Sequence, residues 1–465
     1  MPYKQLGEVK KASKDVLLNL EIEEKSSKNK VELAVYTTSL FENLKIILRT
    51  AEDLLFEKKV NVAPEKVYQT EVEMEQEIFR AEHILEVFSA TGELLLEYQP
   101  EKEELLETPD PARAAEEPEE IKTVEELYLT GLHLEQYRHA TYEPGDYYRG
   151  GLKRDPDNIR INNAYGRLLF WGGAFSESEK HFRRAIGKLT WKNPNPYDGE
   201  AFFNLGLALK MQDQESEAYD VFYKATWSGE WQASGYYQLS LLASRKKDYT
   251  QALKFINQSI INNYHHLKAR NLKTILLRKL DRLEEAEEVA EKTKQIDKLD
   301  FICRNELSYI YNLQGKEKQA HQGKKELMEI MRDSHHNYLE SARDYAAAGF
   351  FREAIEILER FITLQKKKIS VQKEINPLIF YYLAYFHLQR GEKEMAVRIF
   401  KKAALASPDY CFPNCIYSIP VLETAMQINP DDAKAPYYLG NIFYDKKQYQ
   451  KAIKLWGKAA QLDDK

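Results

Sequence analysis

Five alanines, Ala218, Ala252, Ala286, Ala320 and Ala354, follow one another at a constant spacing of 34 residues. A period of that size restricts a chain more than any composition does. Each repeat has room for two short helices and a turn, cannot bury its apolar face alone, and must stack on its neighbours. The unit is clearest in FFNLGLALKMQDQESEAYDVFYKAT, Phe202 to Thr226. There Leu205, Gly206 and Leu209 mark one helix, and Ala218, Phe222 and Ala225 mark a second at spacings of four and three. Short side chains are needed where two helices cross closely; a larger one overpacks the contact at about 1–3 kcal/mol.

The L-G pair followed by A-x-x-x-F resembles the tetratricopeptide repeat (TPR). That resemblance implies a mainly α fold, a right-handed α-solenoid, here assigned to residues 123–465. The pattern recurs at Tyr165, Gly166 and Leu169 ahead of Phe182 and Ala185, and in the last repeat at Gly440, Ala452, Trp456 and Ala459. Between these lie departures from the period. KLTWKNPNPYDG reads as a helix-breaking insertion, QKKKISVQKEIN lengthens the step to Ala396, and CFPNC with VLETAMQI reads as a Pro-bounded loop and an extra helix.

Ahead of the helices the period is two. Val16, Leu18, Leu20 and Ile22 alternate with polar residues, as do Val31, Leu33 and Val35, then Leu44, Ile46 and Leu48. Val72 and Met74, Leu85 and Val87, and Leu94, Leu96 and Tyr98 follow the same rule. Alternation of this kind reads as half-buried antiparallel strands, with Gly92 as a hairpin turn. About seven strands make residues 1–100 a small all-β sandwich of immunoglobulin-like kind. Residues 101–122 read as an acidic linker, because EKEELLETPDPARAAEEPEE offers little apolar surface to offset the entropy of ordering.

The 465-residue chain carries a net charge of −6, which speaks against general affinity for nucleic acid or anionic membrane. No apolar run of about 18 residues is present. Cys303, Cys411 and Cys415 cannot all pair within the chain, and a reducing, cytoplasmic setting is the simpler reading. LYLTGLHLEQYRHATYEPGDYYRGGLKRDPDN, NPNPYDGEAFFNLGLAL and FYKATWSGEW resemble a bacterial family of unassigned function. In that family a galactose-mutarotase-like β-domain precedes a small β-sandwich and TPRs. The resemblance implies that this chain is the C-terminal part of something longer, its opening segment reduced to PYKQLGEV, and that a sugar-related activity of the absent domain does not transfer.

Catalytic and cofactor motifs are absent: there is no phosphate-binding glycine loop, no nucleophile elbow and no HExxH helix. The reading is therefore a non-catalytic protein without cofactor or metal. His133, Glu135, Gln136, Tyr137 and His139 form the most tempting polar cluster, but Glu135 and His139 lack a third ligand at a usable spacing and read as a helix-surface network. The pairs His265–His266 and His335–His336 fall at helix starts, where capping roles are ordinary. Cys411 and Cys415 fit neither redox nor zinc spacing and read as separate thiols.

The first helix of each TPR lines the inner face, where partners lie. Carrying the ladder register back puts Arg160, Asn163, Arg167, Asn204, Lys210, Tyr237, Gln238, Arg245, Lys268, Asn271, Arg278 and Lys279 there. Cations and amides dominate that face in a chain that is acidic overall. One reading is simple solvation by long side chains. The other is a groove for a peptide or protein partner, acidic by preference, with amides holding its backbone and guanidinium groups its carboxylates. Asn204 matches a carboxylate-clamp position, whereas Asn163, Arg167, Ser234 and Gln238 do not. The acidic linker, tethered just ahead, is placed to occupy the groove in cis. Trp191, Tyr197, Trp227, Trp231, Tyr236 and Tyr237 are either helix packing or sugar-stacking rings. The two functional readings are thus an interaction scaffold and an accessory region of a carbohydrate-associated protein.

Overall fold

The computed structural model describes the chain apart from residues 1–5, 26–27, 65–66, 75–78, 103–113, 138–140, 333, 368–374 and 464–465. Half of the acidic linker, the middle of the QKKKISVQKEIN insertion and His139 lie outside the described residues. The internal contacts separate two units, Met1–Ala112 with Ala290–Arg332, and Arg113–Val289 with Asp333–Lys465.

Among the described residues the first unit opens with eight strands: β1 (Lys11–Ala12), β2 (Val16–Lys25), β3 (Lys28–Thr37), β4 (Phe41–Arg49), β5 (Leu54–Val62), β6 (Tyr68–Met74), β7 (Ile84–Phe88) and β8 (Leu94–Tyr98). They form two antiparallel sheets of order β1-β2-β3-β6 and β5-β4-β7-β8. The alternating residues named above, Val16, Leu18, Leu20, Val31, Leu33, Val35, Leu44, Ile46, Leu48, Leu85 and Val87, all sit in one buried core. Gly92, at φ +87°, closes the β7–β8 turn, with Ser89 N–H bonded to the Glu93 carbonyl. Strand β5 has no such alternation: Leu54 and three consecutive charged residues, Glu57 to Lys59, are exposed.

Nineteen helices follow among the described residues. The pairs are α1 (Val124–Tyr137) and α2 (Pro144–Arg154), α3 (Ile159–Trp171) and α4 (Phe175–Thr190), α5 (Glu200–Lys210) and α6 (Glu215–Ala225). Next are α7 (Gln232–Arg245) and α8 (Tyr249–Asn262), α9 (Leu267–Lys279) and α10 (Leu283–Ile296), α11 (Phe301–Leu313) and α12 (Glu317–Met331). The last are α13 (His335–Ala347) and α14 (Phe351–Lys367), α15 (Pro377–Gln389) and α16 (Lys393–Leu405), the single helix α17 (Ile419–Ile428), then α18 (Lys434–Asp445) and α19 (Tyr449–Leu462). The extra helix, α17, and the loop between α4 and α5 fall where the broken period places them. No described helix is long and apolar enough to cross a membrane.

All five ladder alanines are buried in second helices. Each has a small partner one helix earlier, at the 12-residue offset seen for Ser240 and Ala252. Gly206, Ser240, Thr274, Ser308 and Ala342 hold that place, and Ala384 and Gly440 hold the same place ahead of Ala396 and Ala452. The pairing mechanism differs from a simple alanine–glycine contact. A Cβ at Gly206 would lie 2.5 Å from the ring of Phe222, one at Gly166 2.6 Å from Phe182, and one at Gly440 2.5 Å from Trp456. The first-helix glycine leaves room for the aromatic ring one turn beyond the ladder position. Where the partner is Ser240, its hydroxyl instead donates to the Ala252 carbonyl at 2.9 Å, which joins the two helices directly.

Helices α11 and α12 fall in the first unit, where Lys298 pairs with Asp15 and lies 5.6 Å from the Phe41 ring. Arg332 bonds the Pro64 carbonyl and faces Tyr36 in the same unit. The second half of the expected linker is also ordered. Arg154 donates to the carbonyls of Pro118, Ile121 and Lys122, and Tyr147 donates to that of Glu116. Satisfied carbonyls and a buried Ile121 tie residues 114–122 to α2.

Candidate functional site

Within the second unit the later helices lie against the earlier ones. Ser244, ending α7, donates to the Ala348 carbonyl in the α13–α14 turn at 2.7 Å, and a Cβ at Gly349 would come within 3.1 Å of Arg245 Cα. Lys268 on α9 pairs with Asp344 at 2.7 Å, and Arg278 and Lys279 both pair with buried Glu353 at 3.0 and 2.6 Å. At the far end Gln448 bonds the Gly172 carbonyl and Lys447 pairs with Glu143 at 2.5 Å. The chain's own α13–α14 turn thus occupies part of the face that the register assigned to a partner.

The predicted basic face is largely neutralised. Arg160 pairs with Glu125 at 2.5 Å and lies over the Tyr128 ring; Arg167 reaches Glu135 and Glu200, each at 3.3 Å; Arg245 pairs with Glu215 at 2.7 Å. Asn204 donates to Asn163 at 3.0 Å, a buried amide pair, and Asn271 is buried on α9. These partners follow the repeat. Residues about one period apart stand side by side on adjacent repeats, as in the bidentate pair of Arg183 with Glu217, 34 residues on. A search for opposite charges one period apart finds Arg160–Glu125 and Arg167–Glu200; it cannot find Lys268–Asp344 or Arg278–Glu353, separated by 76 and 75 residues.

Lys210 is the exception. It donates to the neutral Gln238 side chain at 2.9 Å, and no described carboxylate lies within ion-pair distance. Burial, and then the neighbouring Arg245, push its ammonium down to about 8, against a weaker pull from Glu215. Tyr237, next to Gln238 in sequence, packs on His266 at 4.8 Å, and burial followed by Asp344 and Tyr417 pushes its phenol up. Tyr385 rises for the same first reason, with Asp213 next. Tyr385, whose phenol faces Arg245, and Tyr417, near Tyr237, were not among the residues expected here.

The other candidates separate cleanly. Glu135 accepts from Tyr148 at 2.9 Å as well as from Arg167, so it serves a helix-surface network. No group of three or more metal-ligating side chains occurs among the described residues. His266 caps α9, its ring accepting from Ala269 N–H at 3.0 Å. Cys411 and Cys415 are not bonded to each other; Cys411 is buried with its thiol pushed up to about 12, and Cys415 receives an Arg343 N–H at 3.0 Å. Of the six aromatics, Trp231 packs on Phe203, Tyr236 on Phe255 and Tyr237 on His266. Trp191, Tyr197 and Trp227 stand out of the fold, 69%, 90% and 60% exposed.

Residues 11–98 match the model of the second domain of YphG-like proteins, and residues 339–410 and 418–465 match a tetratricopeptide repeat model. Likeness to solved structures is weak in numbers. A TPR protein from Parabacteroides merdae aligns at 18% identity and TM-score 0.37, over 58% of this chain and 98% of that one. The C-terminal part of a TPR-containing protein from Cytophaga hutchinsonii aligns at 12% identity and 0.38, over 66% and 98%. YrrB, described as a TPR protein with an unusual peptide-binding site, aligns at 14% and 0.36, over 43% and 99%. The chain carries a YphG-like β domain of eight strands followed by tetratricopeptide repeats in an α-solenoid.

Proposed function

We propose that the protein is a non-catalytic, cytoplasmic interaction scaffold that holds an acidic peptide or protein segment on the inner face of its early repeats. TPR proteins generally serve as protein-interaction scaffolds, which sets the class. The observation that carries the finer reading is Lys210, a cation on the predicted face that has an amide but no carboxylate for a partner. Arg160, Arg167, Arg245, Lys268 and Arg278 already spend their charge within the chain. An incoming carboxylate gains most at a half-buried ammonium whose protonation is held down by burial. Gln238, bonded to Lys210, is the group placed to hold a peptide backbone.

A fluorescein-labelled polyglutamate peptide, titrated by anisotropy, tests this. Binding weakens as the pH rises through about 8, where Lys210 loses its proton, and is lost in Lys210→Met. Binding that ignores both the pH and the substitution overturns the assignment.

A further inference from the structure

The three exposed rings, unused by the inner face, stand at one end of the α4–α6 helices on a fixed platform. The loop between α4 and α5 is tied down at two points. Asn195 accepts from Lys224 at 2.6 Å, and Gly199 sits so close to α6 that an added Cβ would fall 2.8 Å from the Ala225 carbonyl and 2.9 Å from Ser228. Within the loop, Asn193 accepts from Asn195 N–H at 3.0 Å and Asp198 caps α5 through Glu200 N–H at 2.8 Å. A loop backbone anchored in this way loses little freedom when a partner covers it.

Each tryptophan is flanked by cations. Lys188 and Lys192 lie 5.2 and 4.9 Å from the centre of the Trp191 ring, and Lys224 lies 3.7 Å from that of Trp227. None of these three lysines has a carboxylate at ion-pair distance among the described residues, although the chain as a whole has net charge −6. Glu200, the acid next to the loop, is engaged by Arg167. Exposed tryptophan and tyrosine are the residue types that dominate binding energy at protein interfaces, and uncompensated lysine beside them selects the sign of the partner's charge.

We infer that Trp191, Tyr197 and Trp227 with Lys188, Lys192 and Lys224 form a second docking surface. Its partner is a protein segment with an aromatic or aliphatic residue flanked by carboxylates. This surface is separate from the Lys210 face and does not depend on it.

The test uses the whole chain and a short fluorescein-labelled peptide with one tryptophan between glutamates, read by anisotropy. Trp191→Ala with Trp227→Ala is expected to weaken binding tenfold or more, Lys188→Glu with Lys192→Glu to abolish it, and Lys210→Met to leave it unchanged. All four positions carry exposed side chains, and an unchanged circular-dichroism melt confirms folding. The inference is overturned if the loop variants bind the peptide like the parent or if a lysine-flanked version binds equally. Binding of cellohexaose or of phosphatidylserine vesicles in place of the peptide also overturns it. Failure of the polyglutamate test with success here would sink the Lys210 reading alone.

Discussion

The same chemical change, glycine to alanine, is expected to act with opposite sign at Gly206 and Gly457. Both lie inside helices, α5 and α19, where alanine gains about 0.5–1 kcal/mol over glycine. At Gly457 a new Cβ meets nothing within 4 Å, so Gly457→Ala realises that gain. At Gly206 it meets three atoms of the Phe222 ring at 2.5, 2.7 and 2.8 Å. Phe222 is fully buried; displacing it costs roughly 1–3 kcal/mol of overpacking. Gly206→Ala should therefore come out destabilised, and the two variants should differ by about 1–3 kcal/mol in total. Because a chain of this size need not unfold in one step, the readout is local. Hydrogen exchange of peptides spanning α5 and α6, and of α19, measured against the parent, should show faster exchange in the first variant and slower in the second. Slower exchange at α5 and α6 in Gly206→Ala would refute the argument that the glycine exists to admit the ring.

Three further outcomes are expected. Lys210 titrates near 8 in the folded chain and near its ordinary value when unfolded, so the unfolded state binds more protons between those values. Stability should accordingly rise with pH across that window relative to Lys210→Met, which lacks the dependence, as followed by urea titration. Burial pushes the Glu353 carboxyl up, but Lys279 and Arg278 together more than offset it and hold it below the usual carboxylate range. Its contribution is present above the ordinary glutamate pKa and lost as the pH falls through the lowered one; Glu353→Gln, which keeps the shape but removes the charge facing Arg278 and Lys279, should cost about 1–3 kcal/mol at neutral pH, with the deficit shrinking in acid. Arg154→Ala frees the carbonyls of Pro118, Ile121 and Lys122, and limited trypsin digestion should then cut at Lys122 while the parent resists there.

The helix pairs were legible because one physical requirement, close approach, repeats every 34 residues and leaves short side chains behind. The strands of the β core were legible for a similar reason, since one buried face imposes alternation. Strand β5 was not: Leu54 faces out and Glu57, Lys58 and Lys59 interrupt the pattern, as befits an edge strand that buries mainly Val62. Of the inner face, the cations could be read but not their neutralisation. Arg245 looks free in the sequence because Glu215 stands on the previous repeat, and Lys268 because Asp344 arrives from a helix that the period does not place beside it. The tryptophans at 191 and 227 and the one at 231 look alike as letters; only the packing of Phe203 on Trp231 tells them apart.

The contacts that tie late helices to early ones also change how the second unit should come apart. Repeat arrays ordinarily fray from their ends, because each repeat leans only on its neighbours. Here Gln448 is bonded to Gly172, 276 residues earlier, and Ser244 to Ala348 across 104 residues. The final repeat cannot peel away without releasing the α3–α4 turn, and such distant pairings are slow to find during folding. The unit is thus expected to unfold more like a closed globule than like an unzipping stack, and truncating its last helix pair should loosen helices near its beginning.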